Sequence, residues 1–491
     1  MRTKSDAVEQ PLVIQRPLTP AARRRRPTPA PAPAAPAVAG ANDPRVAAAT
    51  TRRAADRWGF LEFFIIAQLV FPALLYVPGS QAIRVPIRVA PFALGVLGLA
   101  VAIASRHARR VRLHVAIPLL SVILAYLTVM IAHPHTNTLL AGVGQVVLYL
   151  SVMAPVLWAP MLVRSRAQVQ RVLIIILACN GINSLVAVLQ VYDPDHFMPR
   201  ELSKIVTDYL EAIPTYIGPD GRQMVRPTGL SDNPGAVCAP AAVAALLGMI
   251  FFVRPIWWLP RALSLLAAMV SVAAIFLSHV RTSILVMCGT CLVFATMLYL
   301  RGRRLRAFGF VGAGVGVLAL ALFSAQQLAG DSVLDRFLTL FEADPMMVYY
   351  QAGRGGQIEY MFRAQLSEYP LGAGLARWGM MRFYFGDEGN EKSPPIWAEL
   401  QWPAWMLDGG LVVLVLYSVV LIRNTWNEGR ACIQLKHSSM ADYASMIFAT
   451  NMGVIALVFG YTPFTTQIGI QYWFLAGLLH GVTQLPKREL I

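Results

Sequence analysis

The sequence predicts an all-α polytopic membrane protein of about twelve transmembrane helices, with a large, partly helical loop on its outer face. Three observations carry this. Hydrophobic residues make up 56% of the chain and charged residues only 14%, with a mean hydropathy of +0.54, whereas soluble domains carry about 25% charged residues. From residue 60 onward, apolar runs of roughly 17–23 residues recur, each able to cross about 30 Å of hydrocarbon as a helix. The net charge of +16 would suggest nucleic acid in a soluble chain. Here the basic residues fall in the tail and in short loops between apolar runs, the pattern of cytoplasmic loops, so no nucleic acid is needed to explain it.

Residues 1–57 form a separate regime. The block Arg23 to Arg26 is followed by an alternating Pro/Ala stretch that cannot build a packed core, so a disordered basic cytoplasmic tail is expected. No apolar h-region with a cleavage site precedes the first span. Arginine richness would hold this tail inside, against anionic lipid. The remaining chain, 58–491, is expected to be one transmembrane domain, with spans near 60–78, 86–104, 113–132, 138–160, 169–191, 234–253, 256–277, 283–300, 307–328, 402–422, 443–461 and 464–484. The second starts among prolines and the last pair is interrupted at Pro463 and Gln467.

Charge sets the orientation. With the tail inside, the inner loops are 105–112, 163–171, 254–261, 301–306 and 423–436, with Lys487 and Arg488 at the C-terminus, and every one is basic. The alternate loops, 79–85, 133–138, 192–232, 279–282, 329–401 and 462–463, then face outward, and both termini are cytoplasmic. Two outer loops are long, and loops beyond about 15 residues call for function or structure of their own. In the larger, Ile358, Met361, Phe362, Leu366 and Tyr369 recur at helical spacing before Pro370, predicting a helix over 356–369. A weaker helical pattern covers 331–341.

The outer loops break the charge rule selectively. Arg222, Arg226, Arg281, Arg336, Arg354, Arg363, Arg377 and Arg382 are arginines, against two lysines, Lys204 and Lys392. Arginine's planar fork suits bidentate phosphate binding, and lysine acts as a point charge. The large-loop arginines fit equally a solvated surface paired with Glu359, Glu368, Asp387, Glu388 and Glu391. Arg281 is different, because it lies almost without a loop between two apolar runs, and a cation there costs several kcal/mol unless it meets an anion or water. Arg226, in Arg226-Pro227-Thr228-Gly229, stands just ahead of an earlier span, and His279 neighbours Arg281.

Acidic candidates are Glu399 and Asp408, which flank the start of the tenth span among Trp397, Trp402 and Trp405. A carboxylate where apolar surroundings begin suits a general base; an interfacial glutamate among belt tryptophans is the other reading. Asn180, Asn183, Asn451 and Gln471 read as helix–helix hydrogen-bond partners, and Cys288 with Cys291 as small membrane-core residues. No phosphate-binding glycine loop, dinucleotide fingerprint or metal-ligand pattern occurs in a credible context, so no cofactor or metal is expected.

Arg226-Pro227-Thr228-Gly229 followed by Asn233-Pro234-Gly235 opens one span, and Ser278-x-x-Arg281-Thr282-Ser283 opens another. The large loop then carries Gly353-Arg354 and, further on, Pro370-Leu371-Gly372-Ala373-Gly374. This order resembles the O-antigen ligase/polymerase superfamily of bacterial inner-membrane glycosyltransferases over roughly residues 170–425. The resemblance implies a metal-independent, inverting transfer of glycan from a polyprenyl-pyrophosphate donor to an acceptor sugar hydroxyl on the periplasmic face. Arg226 and Arg281 would grip the pyrophosphate, helped by Arg354 and with Arg222 and His279 nearby. Family ligases carry a histidine near the end of the large loop, and here that position is Glu399, with no histidine in 329–401. The departure favours polymerisation of O-antigen or exopolysaccharide repeats, with Glu399 activating the acceptor. The alternatives are ligation to lipid A–core and, in a different class, a membrane transporter, which would be expected to show internal repeats.

Overall fold

A computed structural model describes residues 58–105, 110–199, 215–217, 223–254, 257–338 and 354–486. The tail 1–57, Arg222, Lys204 and Gly353 lie outside the described residues. The described residues are overwhelmingly helical. In chain order the principal helices are α1 (Phe60–Val70), α2 (Arg84–Ala104), α3 (Ile117–Met130), α4 (Leu139–Met153), α5 (Pro155–Leu162), α6 (Arg166–Tyr192), α7 (Cys238–Phe252), α8 (Trp258–Leu277), α9 (Arg281–Leu300) and α10 (Arg304–Ala329). They continue as α11 (Ser332–Leu338), α12 (Arg354–Tyr360), α13 (Gly379–Phe385), α14 (Gln401–Gln434), α15 (Ala441–Ala456) and α16 (Gln467–Thr483). An antiparallel pair of β1 (Thr215–Ile217) and β2 (Gln223–Val225), with Tyr216 opposite Met224, lies just ahead of Arg226.

Among the described residues, eight helical segments are long and apolar enough to cross a membrane: α2, α4 with α5, α6, α8, α9, α10, α14, and α15 with its last turn. Three of the remaining expected positions hold shorter apolar helices, Phe60–Tyr76, Ile117–Met130 and Cys238–Phe252, and α16 occupies the last. The chain is a membrane-embedded helical protein. Its ends are defined by capping and by glycine: Thr138 accepts from the Ala141 amide at the start of α4, Ser165 from Gln168 at the start of α6, and Gly330 at φ 78 closes α10.

Three expectations need correction. Residues 423–434, expected as an inner loop, continue α14. The polar residues that suggested a loop are buried instead: Asn424 and Asn451 both donate to Glu428 Oε1, at 2.9 and 2.7 Å, stitching α14 to α15. That contact is the helix–helix role expected of Asn451. The tenth span is not one continuous helix either. Gly409 and Gly410 break it, with Gly410 at φ +61, and the Pro370–Ala373 segment docks into the break: Leu411 N donates to Pro370 O (2.9 Å) and Ala373 N to Leu407 O (2.7 Å). The turn expected at 462–463 is longer, with short 3-10 turns at Leu457–Phe459 and Pro463–Thr465.

The expected helix over 356–369 is present as α12 continued through a π turn at Met361–Gln365 to Glu368, ending ahead of Pro370. Downstream, the loop between α3 and α4 anchors the 371–393 segment. Asn137 donates to Asp387 O and Ser393 Oγ and accepts from the Asp387 amide, and Thr138 Oγ1 donates to Phe385 O. Gly374, at φ +93, lies so close to His135 that a Cβ would come within 2.5 Å of its backbone. This long segment is thus seated on the helical bundle rather than lying loose beside it.

Candidate functional site

The 226–235 segment is locked before it meets any ligand. From α6, Gln190 accepts from the amides of Thr228 and Gly229 (2.9 Å each) and donates to Gly229 O (2.9 Å). Asn183 accepts from the Leu230 amide at 2.6 Å. Gly229 sits at φ +64 with room for no side chain, because a Cβ would come within 2.4 Å of Asn183 Oδ1. This explains the Arg-Pro-Thr-Gly motif: the turn needs both a positive φ and a close backbone approach. From α2, Arg84 and Arg88 converge on Asp232, whose carboxylate is fully buried between them. One buried carboxylate facing two guanidiniums leaves an excess positive charge.

That excess borders a cavity of about 800 Å³. One wall is Arg88 with the Arg226 and Ser231–Ala236 segment; a second is the start of α9, through Val280, Thr282 and Ser283. The 457–468 turn contributes Tyr461, Thr465 and Thr466. The long 354–400 segment closes the far side with Arg354, Trp378, Arg382, Glu388 and Trp397. The Nε donors of Arg88 and Arg226 are buried and have no hydrogen-bond acceptor among the described residues. A buried guanidinium N–H without an acceptor is costly, and its natural remedy is an anionic ligand.

Two other cavity arginines are committed to the fold. Arg377 donates to Pro394 O and Ala373 O, and Arg382 to Ser393 O at 3.0 Å. Both are buried, and both hold the loop backbone in shape. Asp408 is likewise structural: fully buried, it accepts from Gln145 (3.0 Å), Tyr149 (2.7 Å) and Trp378 (2.9 Å), so it ties α14 to α4 and to the docked segment.

Of the residues singled out in the sequence, Arg226 and Arg354 line the cavity. Arg281 does not; it is the first residue of α9, flanked by Val280, Thr282 and Ser283, which do. His279 is buried at φ 56, a left-handed conformation unusual for histidine, and makes the tight turn between α8 and α9. Glu399 is exposed and lies just beyond the cavity-lining Trp397 and Ala398, with its Oε1 accepting from Trp397 Nε1 at 3.0 Å. The apolar surroundings expected around Glu399 are therefore found around Asp408 instead. Arg88 and Asp232 were missed. The available signal was a pair of arginines four apart, Arg84 and Arg88, at the same end of a span as the other anomalous cations.

A second cavity, of about 220 Å³, shares Pro72, Ser231, Ala236, Pro240 and Gln467 with the first. It runs between α1 and α6, past Val70 and Ile182, whose apolar side chains are about half exposed. Asn180, expected as a helix–helix partner, lines this groove, and its Nδ2 is buried without an acceptor among the described residues. Fold and site together define a membrane-embedded helical protein with a cation-walled cavity beside a groove lined by two apolar helices. No family model matches the sequence, and no curated protein matches it.

Proposed function

We propose that the chain is a bacterial inner-membrane glycosyltransferase of twelve spans that polymerises lipid-linked repeat units, in O-antigen or exopolysaccharide synthesis, on its periplasmic face. The observation that carries this reading is the pair of buried, acceptor-less guanidinium donors of Arg88 and Arg226 on one cavity wall. A polyprenyl pyrophosphate needs cations at the membrane edge and an apolar exit for its chain. The cavity supplies the first, and the groove between α1 and α6 offers a path for the second.

In this reading the acceptor hydroxyl attacks the anomeric carbon of the donor's first sugar. The bond to the pyrophosphate oxygen breaks with its electron pair, and the departing polyprenyl pyrophosphate is stabilised by Arg226 and Arg88, with Arg354 across the cavity. Cations fixed where negative charge develops are worth more in a water-poor site than in bulk solvent. A single displacement inverts the anomeric centre. Arg281 begins α9, whose next two residues, Thr282 and Ser283, line the cavity.

The test is direct. Protein in nanodiscs is incubated with a lipid-pyrophosphate oligosaccharide and the products are resolved by size. A ladder is expected; a single addition that requires lipid A–core would make the protein a ligase, and no turnover would overturn the reading. Arg226→Ala is expected to lower turnover by about 100-fold or more, the scale of a lost charge-stabilising donor, with the variant still monodisperse.

A further inference from the structure

The 354–400 side of the cavity carries aromatic rings among its arginines Arg354, Arg377 and Arg382. Trp378 and Trp397 border it with Phe383, Ile396 and the carboxylate of Glu388. The two tryptophans are held in different ways. Trp378 is buried, with its Nε1 fixed on Asp408. Trp397 is 58% exposed, and its Nε1 is fixed at 3.0 Å on Glu399. The Glu399 amide in turn donates to Gln357 Oε1 at 3.3 Å, from α12. An exposed ring pinned through its only polar atom is pre-oriented for a ligand that covers its face.

The chemistry of that face selects the ligand. Aromatic faces carry partial negative charge and attract the slightly positive C–H bonds of an apolar surface. A pyranose ring offers such a C–H face, with hydroxyls around its edge that need acceptors and donors. A tryptophan face and a carboxylate on one cavity lining meet both needs. The cavity thus offers guanidiniums to an anion and an aromatic face to a saccharide.

The geometry points to the aromatic face as the acceptor-sugar subsite, with Glu388 as the carboxylate that takes the acceptor's proton and Glu399 as a positioning residue for Trp397. This rests on the glycosyl-transfer reading above and reassigns the base expected from the sequence. Glu388 is on the cavity lining and Glu399 is not. In the step itself, the acceptor O–H proton passes to the Glu388 carboxylate as its oxygen bonds to the donor's anomeric carbon. The electron pair of the broken C–O bond leaves on the polyprenyl pyrophosphate, and the proton on Glu388 is later released to water.

Substitution separates these roles, because the amide of glutamine can still accept from an indole N–H but cannot accept a proton as a base. The experiment uses full-length protein in nanodiscs, a lipid-pyrophosphate oligosaccharide as donor and a free repeat-unit oligosaccharide as acceptor. Glu388→Gln is expected to lower kcat by about 100-fold or more, in the range of a lost general base, with acceptor KM little changed. Glu399→Gln should stay within about threefold of wild type, while Glu399→Leu and Trp397→Ala raise acceptor KM about tenfold or more with kcat less affected. A tryptophan that only anchors the protein in the membrane interface would leave acceptor KM where it was. Direct binding of the oligosaccharide without donor, followed by saturation-transfer NMR, should weaken in Trp397→Ala and not in Glu388→Gln.

Both carboxylates are exposed, so neither glutamine variant is expected to disturb folding. If wild type transfers glycan while Glu388→Gln is fully active, or while Glu399→Gln is dead, this assignment is overturned and the transfer reading stands. If wild type transfers from no lipid-pyrophosphate donor, the transfer reading falls and takes the base assignment with it. Saccharide binding that survives Trp397→Ala unchanged overturns the subsite alone.

Discussion

Asp232 shows how one residue can set the character of a site. Its carboxylate is the shared partner of Arg84 and Arg88 and also belongs to the segment that presents Arg226. Replacing it by asparagine leaves two guanidiniums in a buried position without their counter-charge. Removing one partner of a buried ion pair typically costs about 3–5 kcal/mol, so Asp232→Asn is expected to lower the detergent-solubilised melting temperature markedly. Arg226→Ala is expected to leave that temperature nearly unchanged, because no acidic side chain among the described residues pairs with Arg226. Thermal unfolding of the two variants side by side distinguishes a scaffold charge from a ligand-facing one.

Among the elements, the break in α14 and the docked 370–393 segment depend on each other. Gly410 is at φ +61, and a Cβ there would come within 2.2 Å of Pro370 O. Gly410→Ala therefore combines a strained backbone with a clash against main chain, a penalty of at least roughly 1–3 kcal/mol. It should release the docked segment, read as faster hydrogen exchange over 371–393. The α3–α4 loop is the other anchor and carries a titratable group. Burial, then His135 and Arg377, hold the His133 imidazole below its ordinary pKa. The undocked imidazole protonates near pH 6.5 while the docked one resists, so docking is at full strength above that pH and weakens as pH falls below it. Exchange over 371–393 should rise on acidification in wild type and less so in His133→Gln; equal acid sensitivity in both would remove His133 from the account.

At the scale of the whole molecule, the polar contacts fall into two sets at opposite helix ends. Near the starts of α1 and α6, Glu62 is bridged to Arg171, and the turn between α9 and α10 is bridged by Arg301 and Arg303 to Asp442 at the start of α15. The cavity, the α3–α4 loop and the 354–400 segment form the other set. In the proposed topology the first set is cytoplasmic. Single cysteines introduced at 303 and 389, in a background lacking the five native ones, should therefore label from opposite faces of sealed vesicles. Labelling of both from one side would overturn the twelve-span topology, and with it a periplasmic site.

The sequence by itself determined that the chain is helical and membrane-embedded, and it located most of the helices, because hydrocarbon length and hydropathy act locally along the chain. It also pointed to Arg226, a cation just ahead of a span, and to Arg354 through the order of motifs, whereas Arg281, which the membrane-edge argument singled out first, does not line the cavity. It misjudged 423–434, where Asn424 and Glu428 look like loop residues until α15 and α16 surround them. Only the tertiary structure decided which ionisable groups share a cavity. Asp408 and Glu399 are nine positions apart, yet one is buried under three hydrogen bonds and the other exposed beside a tryptophan. Arg88 and Arg226 line one cavity although 138 positions separate them, because α2 and α6 both grip the 226–235 segment. Burial and pairing between distant elements depend on how helices pack, and no local pattern encodes that.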